Sequence, residues 1–141
     1  MRCFFDTNVL VYMFDADDPT KMAIARQLYS QSVQERSALL SIQVLQEFFV
    51  TVTHKLGTPL SHDEAVRAIR DFADLSIVRP DTDLILEAIA ASRHFRISFW
   101  DSLIVQAALR GAATILYTED LQHGQTFETL TVQNPFDGSR H

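Results

Sequence analysis

The chain has 141 residues, 47% hydrophobic and 21% charged, with a formal net charge of −6. That length and apolar content suit one folded domain over residues 1–141 and exclude a disordered chain. The acidic balance argues against a simple phosphate-binding module, but leaves room for an acidic enzyme whose carboxylates take divalent cations. Cys3 is the only cysteine, so no internal disulfide can form. It reads as a small core residue in a reducing compartment. No run is long and apolar enough to span a bilayer, and no secretory pattern precedes Asp6, so a soluble cytoplasmic protein is expected.

Arg2 to Phe5 reads as a short buried strand that ends at Asp6. Thr7-Asn8 offers caps to a short apolar helix, Val9 to Phe14. The run Asp15-Ala16-Asp17-Asp18-Pro19 breaks it. Its spacing is not that of an EF-hand, and Asp18 capping a helix with Pro19 at the first position is the stronger reading. That helix should run to about Glu35, with Met22, Ala25, Leu28 and Tyr29 inward.

Ser37 to Ser41 reads as a second strand. The next helix starts at Ser41 or Ile42 and ends near Gly57, with Leu45, Phe48, Phe49, Val52 and Leu56 as its apolar stripe. Glu47 falls roughly opposite that stripe. Such a Glu is either simply solvated or facing a wet cleft. Ser61 to Glu64 forms a capping box for a helix carrying Ala65, Ile69, Phe72 and Leu75. Ser76 to Val78 is a third strand. Asp81 or Thr82 caps a helix through Ala91, with Leu84, Ile85 and Ala88 inward.

Arg93-His94-Phe95-Arg96 is a basic turn. It is either a phosphate contact, through Arg93 and Arg96, or the cationic end of a helix. Ser98 opens a helix that is apolar almost all round, and therefore buried. Asp101 sits in its first turn, either completing the cap or requiring a cation. Thr114 to Tyr117 is a fourth strand, and Thr118-Glu119-Asp120 at its end repeats the arrangement at Asp6. Either acid could turn inward. Gln122 to Gln125 is a polar loop with a lone His123. Thr129 to Val132 is a last strand, and Asn134-Pro135-Phe136 leads to a polar tail.

Strands alternate with helices throughout. The expected fold is a three-layer α/β/α sandwich with a mainly parallel sheet of four to five strands. There is no P-loop, GxGxxG or GxSxG motif. In such a sheet, ligands bind beyond the carboxyl ends of the strands. Asp6, Asp101 and the acids at 119–120 are the candidates there. Carboxylates without His or Cys companions suit Mg²⁺ or Mn²⁺, and paired ions of this kind hydrolyse phosphodiesters without a protein nucleophile.

Four pieces in this order resemble a PIN-domain ribonuclease over essentially the whole chain. They are Phe5-Asp6-Thr7-Asn8-Val9-Leu10, Glu47, Phe99-Trp100-Asp101-Ser102, and Leu116-Tyr117-Thr118-Glu119-Asp120-Leu121. The small size resembles the VapC-type toxins of type II toxin–antitoxin pairs. The resemblance implies Mg²⁺-dependent cleavage of an RNA substrate, an antitoxin protein as partner, and frequent homodimers. It also implies that Asp6, Glu47, Asp101 and Asp120 ring the metal, with Asn8, Ser102 and Thr118 in support. Many PIN domains carry a further acid two or three residues after the Asp120 position, where this chain has Gln122 and His123. Tyr12, Phe14 and Tyr29 are candidates to receive a partner helix.

Four other readings compete. A haloacid-dehalogenase-like phosphatase needs a second Asp where this chain has Asn8. A receiver-type domain needs a late Lys, and none follows Lys55. A catalytically silent interaction module, or a housekeeping RNA-processing nuclease, would share the fold.

Overall fold

The computed structural model describes residues 1–137. Six strands form one sheet: β1 (Cys3–Phe5), β2 (Ala38–Ser41), β3 (Ser76–Val78), β4 (Ile115–Tyr117), β5 (Thr126–Phe127) and β6 (Leu130–Gln133). The strand order is β3-β2-β1-β4-β6-β5, and all neighbours are parallel except β5 with β6. The helices are α1 (Thr7–Tyr12), α2 (Pro19–Gln34), α3 (Ile42–His54), α4 (His62–Phe72), α5 (Thr82–Phe95) and α6 (Phe99–Arg110).

The chain lays down β1, β2 and β3 in one direction, then returns to place β4 on the other side of β1. Parallel crossovers are right-handed, so this reversal carries α5 and α6 to the face opposite α1 to α4. It also opens a crevice at the carboxyl ends of β1 and β4, the kind of position where open α/β sheets bind ligands. Phe5 pairs with Tyr117 in register, so the next residues, Asp6 and Thr118, emerge side by side.

Apolar strands set this geometry. Cys3, Phe4 and Phe5 are all buried, as are Leu39, Leu40, Leu116 and Val132. Phe48 reaches in from α3 and meets Phe14 and Phe72 edge to face. Full burial of each such side chain is worth roughly 1.5–3 kcal/mol. Burial also raises the Cys3 thiol above its ordinary range, against hydrogen bonds to Ser37 and Tyr117, which fits a packing residue. Gly111 lies so close to Leu39 that a Cβ there would overlap its methyl group.

The caps follow local chemistry. Asp18 caps α2 ahead of Pro19, and Ser61 and Glu64 form the reciprocal box on α4. Asp81 caps α5 and Ser98 caps α6. In the acidic loop, Asp15 accepts from the Asp17 backbone N–H, an ordinary turn contact.

Four expectations need correction. The sheet has six strands, because β5 is a two-residue antiparallel partner of β6, too short to leave a pattern. The cap of α1 is Asp6 itself, ahead of Thr7 and Asn8. Helix α5 continues past Ala91 to Phe95 and closes on Arg96 in a left-handed conformation, φ 55°. Ile85 is exposed: Leu84 and Ala88 form the narrow buried stripe of α5, and Ile85 is turned about 100° from Leu84.

Ser102 locks the α5–α6 pair. It is fully buried, and its hydroxyl donates to the Ala88 carbonyl at 2.7 Å. Ser102→Ala should lower unfolding stability by about 1 kcal/mol, with the urea m-value unchanged. An unshifted urea midpoint would show that the bond contributes nothing.

Candidate active site

Asp6 is the deepest charged group of the crevice, only 5% exposed. Its backbone N–H donates to the Tyr117 carbonyl at 3.0 Å, tying the end of β1 to β4. One carboxylate oxygen accepts from the Thr7 N–H at 2.7 Å, the other from the Thr118 hydroxyl at 2.8 Å. Burial pushes its pKa up to about 7. The Thr118 and Thr7 bonds pull against burial, while the charges of Asp120 and Glu47 add to it.

The neighbouring residues arrange the other acids. The Thr7 hydroxyl donates to Glu47 at 2.8 Å, and the Gln43 amide donates to the other Glu47 oxygen at 3.3 Å. Glu47 is therefore turned into the crevice, not simply solvated. Gln43 also reaches the Trp100 carbonyl at 3.4 Å, joining α3 to the turn of α6 that carries Asp101. Asn8 donates to Asp120 at 3.0 Å and to Thr118 at 3.2 Å, and accepts from the Glu119 N–H at 3.4 Å. The Thr118 hydroxyl also accepts from the Asp120 N–H at 3.1 Å. Thr7 and Gln43 were missed from sequence. Gln43 stands one helical turn before Glu47, the spacing at which side chains meet.

Between Glu119 and Asp120, the side chains divide. Asp120 joins Asn8 at the crevice mouth, while Glu119 pairs with Lys21 at 2.9 Å and Tyr12 at 2.6 Å. The Asp120 carboxyl lies above its usual range. Partial desolvation is the main cause, opposed by the Asn8 bond and reinforced by the charges of Asp101, Glu119 and Glu47. Asp101 is partly buried, and its N–H donates to the Ser98 hydroxyl. Asp6, Glu47, Asp101 and Asp120 are thus linked through their fields.

Not every candidate is brought together. The Ser102 hydroxyl is committed to Ala88 on the far side of its helix. Arg93 and Arg96 stand exposed at the end of α5, before the turn leading to Asp101. An open cleft of about 610 Å³ is lined by Thr7, Asn8, Tyr12, Glu47, Lys55 and Asp120, among others. Lys55 brings a cation that sequence reasoning left unassigned. Tyr12, Phe14 and Tyr29 are half-buried and pack against the core, and Tyr12 also lines the cleft.

Among the described residues, no group of three acids is close enough to form a ready-made cation cage. The donor set still fits a hard cation. All the groups are oxygens, Asp6 is a buried carboxylate pushed toward neutrality, and no His or Cys intrudes. Mg²⁺ keeps several of its waters and takes only one or two carboxylates, so it needs no closed cage.

A buried strand-end acid at the reversal of a parallel sheet, with Glu47 of α3 and Asp120 beside it, defines a class. The PIN domain family model matches residues 3–126, and the chain belongs to that family. Its solved neighbours include VapC20 from Mycobacterium tuberculosis, described as a Sarcin-Ricin loop cleaving toxin. That structure is 22% identical, with 84% of this chain and 89% of that one covered and a TM-score of 0.67. A toxin–antitoxin complex from Klebsiella pneumoniae is 16% identical, covering 96% and 98%, with a TM-score of 0.71. VapBC2 from Rickettsia felis, bound to a DNA fragment from its promoter, is 16% identical, covering 95% and 98%, with a TM-score of 0.65. Among curated proteins, nothing matches.

The raised Asp6 pKa makes a stability prediction. In the unfolded chain Asp ionises near 4; folded, Asp6 holds its proton to about 7. The folded state therefore binds the extra proton. This contribution is complete below about pH 4 and is lost as pH rises through 7. With chelator present, Asp6→Asn should gain about 2–3 kcal/mol relative to wild type between pH 5 and pH 8. Urea unfolding at both pH values checks this. An equal difference at the two pH values would mean that Asp6 titrates normally.

Proposed function

We propose that this chain is a divalent-metal-dependent endoribonuclease cleaving single-stranded RNA, and the toxin of a type II toxin–antitoxin pair. The observation that carries this reading is the buried Asp6 carboxylate, tied between β1 and β4 and lying in the field of Glu47 and Asp120, with Asp101 acting in turn on Asp120. The family supports nuclease chemistry, and the neighbouring VapC and VapBC structures support a toxin with an antitoxin partner.

A bound Mg²⁺ or Mn²⁺ would supply an acidified water and a charge for the leaving oxygen. Asp6, Glu47, Asp101 and Asp120 are the residues proposed to hold it. Thr118 and Thr7 fix the Asp6 oxygens, Thr7 and Gln43 fix Glu47, and Asn8 orients Asp120. Lys55 on the cleft wall, with Arg93 and Arg96 beside α6, would meet RNA phosphates. A protein with a net charge of −6 needs such local cations to accept a polyanion.

Other surfaces support partners. Ile85, Leu86 and Ile89 on α5, and Trp100 on α6, are exposed large hydrophobics suited to a second copy in a homodimer. An inhibitor's Arg or Lys would meet Glu47 and Asp120 at the mouth, since Asp6 is too deep to receive it. No described helix is long and apolar enough to cross a membrane.

The test is cleavage of a labelled RNA with Mg²⁺ or Mn²⁺ and with chelator. Products should carry 5′-phosphate and 3′-hydroxyl ends. Asp6→Asn and Asp101→Asn should each lose activity on the order of a hundredfold or more. Expressed alone in bacteria, the chain should arrest growth, and Asp6→Asn should relieve the arrest. Cleavage that survives chelation or both substitutions would exclude the metal mechanism. Harmless expression of active enzyme would leave a nuclease without a toxin role.

A further inference from the structure

We propose that Lys21, together with Tyr12, is a positioning residue that holds Glu119 out of the cleft, so that Asp120 is the carboxylate of this adjacent pair offered to a divalent cation. The proposal rests on the metal-dependent reading above.

The problem it solves is local. Two acids, Glu119 and Asp120, follow Thr118 in succession at the end of β4. Their assignment depends on which way a two-residue turn rolls. The backbone side of the turn is held by Asn8, which binds Thr118, the Glu119 N–H and Asp120. The side-chain hold on Glu119 comes from the other direction.

Both Glu119 oxygens are occupied. One accepts from the Tyr12 hydroxyl at 2.6 Å, the other from the Lys21 ammonium at 2.9 Å. Lys21 also donates to the Tyr12 oxygen at 3.2 Å, closing a triangle. The ammonium lies 4.5 Å from the centre of the Tyr12 ring and 5.2 Å from that of Phe136. Those rings meet edge to face at 4.9 Å. Aromatic walls and partial burial strengthen such a pair relative to a fully solvated one. The bond to Glu119 holds the Lys21 ammonium above its ordinary range.

The clamp spans three distant parts of the chain. Tyr12 ends α1, Lys21 lies in the first turn of α2, and Glu119 follows β4. Phe136 brings the segment after β6 onto the same cluster. The role of the clamp is sorting: Thr118 turns inward to Asp6, Glu119 outward to α1 and α2, and Asp120 back to the cleft.

The experiment is Mn²⁺ titration by calorimetry, with RNA cleavage at saturating Mn²⁺ measured beside it. In Lys21→Met, Glu119 is freed beside the acids. Mn²⁺ binding should tighten about two- to fivefold, the effect of one partly exposed charge. Cleavage should fall about tenfold or more, because the cation is held in a displaced geometry. Lys21→Arg should keep both values near wild type. The double variant Lys21→Met with Glu119→Gln removes the stray charge, and should restore wild-type Mn²⁺ affinity and most of the cleavage. A Lys21 that acted only on stability would leave Mn²⁺ affinity unchanged in Lys21→Met, whereas the clamp predicts tighter binding that the double variant reverses. Glu119→Asp leaves α2 untouched and shortens the reach to Lys21. It should tighten Mn²⁺ binding as Lys21→Met does.

Wild-type values in Lys21→Met, or wild-type affinity in Glu119→Asp, would overturn the proposal. So would a double variant as impaired as Lys21→Met. A wild-type protein that binds no Mn²⁺ would overturn the metal-dependent reading itself. Binding and cleavage by wild type, with Lys21→Met unchanged, would overturn the clamp alone.

Discussion

The Asp6 carboxylate is buried with two hydrogen bonds and no cationic partner among the described residues, and the crevice is organised around that constraint. A charge taken out of water is costly unless it is paired. The Thr118 hydroxyl and Thr7 N–H return part of the cost. The remainder is visible in a pKa pushed up to about 7. A group so placed is ready to exchange its proton for a cation, and its neighbours are acids that share the same field.

The sheet makes this placement. Strand order reverses at β1, and the parallel register of Phe5 with Tyr117 delivers Asp6 and Thr118 to one point. The acids then grade outward. Asp6 is fixed within the fold, Glu47 and Asp101 are partly buried on helices, and Asp120 is exposed at the rim. The inner group is held within the fold and the outer ones are more open to solvent, an arrangement in keeping with the proposed metal-dependent cleavage of RNA. The polar residues Thr7, Asn8 and Gln43 carry no charge themselves, but each fixes one that does.

Much of this was legible in the sequence. Short apolar runs around Phe4-Phe5 and Leu39-Leu40, separated by helical periodicity, announced a parallel sheet. An acid directly after a strand announced Asp6. The rest depended on packing that periodicity does not encode. Glu47 was ambiguous because the face opposite the core stripe can be solvent or cleft; the contact with Thr7 decides it. Ser102 follows Asp101 in the chain, yet helical rotation sends its hydroxyl to Ala88. Glu119 and Asp120 could not be ranked until Lys21, almost a hundred residues earlier, was seen to hold one of them. The two-residue β5 had too few residues to show alternation.

The most direct test is crystallographic, with Mn²⁺ and its anomalous signal. A peak within about 2.5 Å of an Asp6 oxygen, the reach of a cation–oxygen bond, and facing Asp101 or Asp120, is the predicted result. A peak held by the Asp15–Asp18 loop with Asp6 untouched, or no peak at millimolar Mn²⁺, would contradict it.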